Sequence, residues 1–138
     1  NIIPRIINIS APDTIVRPSD ETVALQLVSA EVFDADGLET IKWVGFTSYY
    51  VEGDSMMNKG DYIYLYDDGS DVILYPPNFT SGDDVSGDGI YSFRIPIYGT
   101  GFTDPDFQTK AGSFTWRFST QDASNEYSKT IEYDIIIQ

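Results

Sequence analysis

The stretch AEVFDADGLETIKWVGF (residues 30–46) decides the fold class. Ala30 and Val32 alternate with Glu31 and Phe33, the run stops at Asp34-Ala35-Asp36-Gly37, and an apolar run carrying Trp43 follows. Alternation with a period of two puts successive side chains on opposite faces, as a strand does and a helix does not. Asp and Gly suit the tight backbone of a turn, so the stretch reads as strand, turn, strand.

The same alternation recurs outward in both directions, and no window carries a convincing helical period. Strands are expected over residues 6–10, 22–33, 39–46, 61–66, 72–75, 90–97, 113–120 and 130–137. In the second of these the apolar parity changes from Val23, Leu25 and Leu27 to Val28, Ala30 and Val32, which predicts a β-bulge near Leu27. In the fourth, Ile63 and Leu65 supply one face while Tyr62, Tyr64 and Tyr66 form a row on the other, expected to face outward. Strands joined by turns, without a helix of consequence, imply an all-β, antiparallel β-sandwich of seven to nine strands. One domain spans residues 1–138, with Val32, Trp43, Phe93, Phe114, Trp116, Phe118 and Tyr133 expected in a shared core.

A chain of 138 residues can bury such a core without covalent staples. It contains neither Cys nor His, which removes disulfides, Ser-His-Asp and Cys-His catalysis, and the usual zinc or copper sites. Paired carboxylates can hydrolyse glycosides, but a small sandwich offers no deep cleft to raise a carboxyl pKa, so a non-enzymatic role is expected. The 22 acids against 8 bases give a net charge of −14, which argues against nucleic acid and anionic membranes as partners. No apolar stretch approaches the ~20 residues of a membrane-spanning helix. The chain begins at Asn1 without a Met or signal peptide, and reads as a processed or excised segment of a longer precursor. Asn78-Phe79-Thr80 matches the three-residue N-glycosylation pattern, which is short enough to arise by chance and is read so.

One segment carries more specific chemistry. In SGDDVSGDGIY (residues 81–91), Asp84, Ser86 and Asp88 followed by Gly89 reproduce the first half of a calcium loop. The closing Glu of a full loop is absent, and Ile95 occupies its position. The segment is therefore either part of a calcium site completed from other loops or an acidic turn that binds nothing.

Three phrases resemble the bacterial immunoglobulin-like and cadherin-like modules of secreted or surface proteins. Residues 30–46 resemble the strand B–turn–strand C phrase. YDDG (residues 66–69) with GDDVSGDGIYS (residues 82–92) resembles the aspartate-rich approach to strand E, with residues 70–81 inserted between the two pieces. FTWRFSTQDASNEYS (residues 114–128) resembles the strand F–turn–strand G phrase, with Ser124-Asn125 in place of the usual Gly-Asn. In the strand order this resemblance implies, the B–C, D–E and F–G loops meet at one end. They carry Asp34 and Asp36; Asp83, Asp84, Ser86 and Asp88; and Asp122 and Asn125. The ligand set expected for calcium is Asp34, Asp36, Asp84, Ser86, Asp88 and Asp122; the competing reading is that Asp and Asn populate turns for backbone reasons alone.

The resemblance implies a non-catalytic extracellular or cell-surface module, secreted and anchored through a removed N-terminal segment, used for adhesion, spacing or docking. Its partners would be neighbouring domains of a longer chain, a surface protein or a glycan. The alternative is a carbohydrate-binding module that uses Tyr62, Tyr64 and Tyr66 as its stacking row.

Overall fold

The structure, a computed structural model, describes residues 3–74, 79–104 and 108–138. Nine strands form among them: β1 (Arg5–Ser10), β2 (Thr14–Ile15), β3 (Val23–Phe33), β4 (Ile41–Tyr50), β5 (Ser55–Met56), β6 (Ile63–Leu65), β7 (Ile90–Tyr98), β8 (Gly112–Asp122) and β9 (Ile131–Ile137). The smaller sheet runs β1-β3-β7, and the larger runs β2-β9-β8-β4-β5, with β6 also paired to β4. Every pairing is antiparallel except that of β2 with β9, which is parallel. The two regular helical segments among the described residues are short 3-10 turns at Leu38–Thr40 and Met57–Gly60. The protein is thus all-β and built from two sheets. β2 and β5 are two residues each, too short to carry an alternation that the sequence could show. Residues 72–74 form no strand, and Tyr75 and Asn78 lie outside the described residues.

The register of the larger sheet sets its inner face. Phe46 on β4 lies opposite Phe118 on β8, Ser48 opposite Trp116, and Tyr50 opposite Phe114. Their rings pack in sequence, Phe46 at 4.7 Å from Trp116 and 4.8 Å from Phe118 between centroids. Val28, Ala30 and Val32 of β3 and Ile97 of β7 close this core from the smaller sheet, with Phe93 and Tyr133 packed against it half-buried. Burial of this apolar surface is the main favourable contribution to folding.

Trp43 departs from expectation. It belongs to the outer face of the larger sheet, because β4 commits Val44, Phe46 and Ser48 to the core and leaves Trp43, Gly45 and Thr47 outside. The motif Trp-Val-Gly-Phe offers two apolar parities, and the facing aromatic residues of β8 select the one without the tryptophan. The bulge expected near Leu27 is also absent: β3 pairs β7 without interruption from Val23 opposite Tyr98 to Glu31 opposite Ile90. Val23, Leu25 and Leu27 stay exposed on the outer face, where Leu25 faces Pro96 and Leu27 faces Arg94. The irregularities fall in β1, between Ile6 and Asn8, and in β4, between Ile41 and Trp43.

The free edge of β7 is guarded by its sequence. Ser92 turns its backbone groups outward to Tyr66, and the Tyr98 N–H donates outward to Thr109 Oγ1 at 2.7 Å. Period two places Pro96 in the same outward set, where its missing N–H leaves no donor for edge-to-edge pairing. Beyond β7 the chain packs closely on the segment before β3, with Gly99, Thr100 and Gly101 donating to Thr22, Pro18 and Asp20 carbonyls. A Cβ on Gly99 would lie 2.1 Å from the Asp20 carbonyl oxygen. Gly99→Ala is expected to force the two segments apart at a cost of about 1–3 kcal/mol, read as a lower urea midpoint.

Candidate functional site: the acidic end of the sandwich

After β6 the chain crosses from the larger sheet to the smaller. Tyr66 and Ser92 exchange backbone hydrogen bonds of 2.9 and 2.8 Å, which sets Asp67 beside the start of β7. The Asp67 carboxylate accepts the Gly87 and Gly89 N–H groups, both at 3.0 Å, and holds the loop before β7 against it. Both glycines have positive φ, 80° and 84°, so the loop depends on residues free of Cβ strain at these points. From that loop Asp83 accepts the Gly69 N–H at 2.7 Å, and Asp88 accepts the Ile90 N–H at 3.0 Å. The result brings carboxylate oxygens of Asp67, Asp83 and Asp88 within 4.8 Å of one another. Among the described residues this is the one such group of three acids.

The electrostatics are unfavourable without a counter-charge. Asp83 is 4% exposed, and burial pushes its carboxyl up to about 6, reinforced by the charges of Asp67, Asp88 and Asp68 and opposed by the Gly69 N–H. Burial also raises Asp67, with Asp88 adding to the effect and the glycine N–H groups opposing it. Tyr91, whose side chain reaches this end from the inner face of β7, is pushed up to about 12 by burial and by the Asp67 and Asp83 charges. Asp68 accepts Ser81 Oγ at 2.7 Å and Ser70 N–H at 3.0 Å, and its second oxygen is buried without a hydrogen-bond partner.

The ligand set read from sequence divides. Hydrogen bonds do join the three turns at one end: Val32 N–H donates to the Gly89 carbonyl at 2.9 Å, Ala123 N–H to the Thr40 carbonyl at 2.7 Å, and Lys42 Nζ to Asn125 Oδ1 at 3.1 Å. Of that set, Asp88 alone enters the carboxylate group. Asp34 is buried and caps its own turn through the Asp36 N–H at 2.9 Å, its other oxygen unpartnered. Asp122 accepts the Ser124 and Glu126 N–H groups at 3.0 and 2.9 Å. Asp36 and Asp84 are exposed, and Ser86 Oγ donates to the Asp67 carbonyl at 3.4 Å. The other two members of the carboxylate group, Asp67 and Asp83, lie outside the set read from sequence. The signal that could have found them was the pairing of the YDDG and GDDVSGDGIYS phrases, which places an acid from the first beside the second.

The tyrosine row does not persist as one strip. Tyr64 is 44% exposed, whereas Tyr62 is half-buried against Trp43, with centroids 4.8 Å apart. Tyr66 leaves the larger sheet altogether and packs on Phe93 at 6.2 Å. The chain's crossing between sheets begins at this residue, so strand parity no longer governs it. Between the free edges of β6 and β7 lies a groove of about 1150 Å³, lined in part by Leu25, Ile63, Phe79, Phe93 and Ile95. None of its described lining residues is an acid or a base, so it is separate from the carboxylate group.

No family model and no curated protein matches the chain. Among solved structures it is similar to a Niemann-Pick type C2 protein from the Japanese carpenter ant, at 10% identity and a TM-score of 0.41, over 99% of this chain and 93% of that one. A likeness at that distance carries no argument about function.

Proposed function

We propose that the chain is a non-catalytic, immunoglobulin-like module of a secreted or surface protein, used for adhesion, spacing or docking, and that calcium rigidifies its acidic end. The strand order supports the architectural part. Read in chain order, β1, β3 and β7 correspond to strands A, B and E, and β9, β8 and β4 to G, F and C, while β2 lies parallel to β9 as a continuation of the first strand.

The observation that carries the functional part is the meeting of Asp67, Asp83 and Asp88. An all-oxygen, all-carboxylate donor set suits a hard cation, and calcium tolerates an irregular shell of about six to eight oxygens. Three carboxylates supply part of that shell, and water or carbonyl oxygens complete it. A divalent ion would also neutralise the repulsion that raises Asp83 and Asp67.

Calorimetric titration with calcium tests this reading. One ion is expected to bind with a Kd of about 0.1–1 mM, the range of extracellular modules, and more tightly than magnesium. Asp67→Ala and Asp88→Ala should each abolish the heat of binding, while Asp84→Ala should leave it intact. If Asp84→Ala abolishes binding and Asp67→Ala does not, the ion sits in the sequence-derived loop instead. No binding heat in the unsubstituted chain means that the acids are turn residues only.

A further inference from the structure

We infer that the outer face of the larger sheet is a stacking site for a neutral glycan, built from Trp43, Tyr64 and Tyr127. This inference is independent of the acidic end. Trp43 lies opposite Gln121 on β8, and Gln121 in turn pairs with Tyr127, so the three residues form one row across the sheet. Tyr64 lies on the opposite side of β4, on β6, paired with Gly45. The Trp43 indole is therefore flanked on both sides, by Tyr64 at 5.8 Å and Tyr127 at 6.2 Å between ring centroids. Both tyrosines stand steeply to it, with interplanar angles of 78° and 66°. Tyr64 is 44% and Tyr127 56% exposed, so each leaves much of its ring open to solvent.

The cluster is fixed in place, which lowers the entropy lost on binding. Trp43 Nε1 donates to Gln121 Oε1 at 2.8 Å, and Gln121 is itself buried. Gly45 provides the room for the tyrosine beside it: a Cβ there would lie 3.0 Å from the Ile63 carbonyl oxygen and 3.3 Å from the Tyr64 ring. Ser119 Oγ lies 3.3 Å from the Tyr62 hydroxyl and steadies the fourth ring. Such a cluster on a sheet face is not needed for the core, which is complete without it.

A pyranose ring matches these features. Its C–H face stacks on exposed aromatic rings such as Tyr64, and its hydroxyl rim finds hydrogen-bonding groups in the exposed Tyr127 hydroxyl and Asn125 amide. The net charge of −14 disfavours sulfated or uronic acid polymers, and Tyr64, Trp43, Gln121 and Tyr127 include no carboxylate to pair with a cationic sugar, so a neutral glycan suits the row best. The occupant is thus a neutral polysaccharide lying across β6, β4 and β8.

Native affinity electrophoresis through gels containing xyloglucan, barley β-glucan, galactomannan or dextran tests the assignment. At least one polymer is expected to slow the unsubstituted chain. Tyr64→Ala and Tyr127→Ala should each weaken that retardation about two- to tenfold at an unchanged melting temperature, while Tyr64→Phe, which keeps the ring, should retain it. Phe33→Ala, a change at an exposed aromatic on the other sheet, should have no effect. The assignment is overturned if none of the four polymers slows the chain, or if retardation survives both alanine variants. It is equally overturned if sedimentation shows a dimer that these variants dissolve, since a second copy would then cover the face.

Discussion

Phe46→Ala is expected to destabilise the fold by about 3–5 kcal/mol, measured by urea unfolding. Phe46 is fully buried, lies opposite Phe118 across the β4–β8 pair, and packs against the rings of both Trp116 and Phe118. Truncation removes the transfer free energy of the ring and leaves a cavity between two sheets whose backbones are held by their hydrogen bonds and cannot close it. Domains are stable by about 5–15 kcal/mol in total, so the variant should sit near the threshold of folding. Trp43→Ala makes an informative contrast. It deletes a larger side chain, yet one on the outer face with solvent available to the space it leaves. The loss should be clearly smaller than for Phe46→Ala, and the reverse order would mean that β4 is registered with the opposite face inward.

The second large effect concerns charge at the acidic end. The Asp83 carboxyl, held at about 6, lies above its ordinary value of 3.8. A folded-state pKa raised in this way means that the folded chain binds the proton more tightly than the unfolded one. The stability contributed by that proton is fully present below the ordinary value and is lost as pH rises through about 6. Asp67, also raised, acts in the same direction. In chelator, the melting temperature should therefore fall between pH 5 and pH 7.5. Calcium should reverse that fall at pH 7.5 and have little effect at pH 5, where protons compete for the same oxygens. Asp83→Asn keeps an acceptor for the Gly69 N–H and removes the charge, so it should raise stability at pH 7.5 in chelator while removing the response to calcium.

How far these features could be read in the sequence differs from element to element. Strands β3, β7, β8 and β9 announce themselves because each presents a long alternation with one buried face, and the predicted bounds fall within two residues of those observed. The position of Trp43 was not legible, since a run of apolar residues on both parities is resolved by the facing strand and not by local pattern. The three odd-numbered apolar residues of β3 illustrate the same point: Val23, Leu25 and Leu27 suggested a bulge, although an exposed apolar side chain on an outer face satisfies the chain equally well. Tyr66 shows the limit of parity, because alternation holds only while the strand stays in one sheet.

The candidate site was half legible for a related reason. Asp84, Ser86 and Asp88 match a spacing that works when a single loop wraps an ion. Here the loop is held instead by Asp67, which arrives from the end of β6 and accepts the Gly87 and Gly89 N–H groups. That long-range pairing turns Asp83 and Asp88 towards Asp67 and leaves Asp84 in solvent. Asp34 and Asp122 each accept N–H groups of their own turns, as Asp commonly does for backbone reasons.

Thermal unfolding at pH 7.5, in millimolar calcium and in chelator, decides whether the acidic end holds calcium when the unsubstituted chain is run beside Asp83→Asn. An ion bound only by the folded state stabilises by RT ln(1 + [Ca]/Kd), about 2.7 kcal/mol at a hundredfold excess over Kd and about 1.4 kcal/mol at tenfold. With an ion bound at Asp67, Asp83 and Asp88, the unsubstituted chain should melt several degrees higher in calcium, and Asp83→Asn should show no difference. Equal melting temperatures for the unsubstituted chain in calcium and in chelator would contradict such binding.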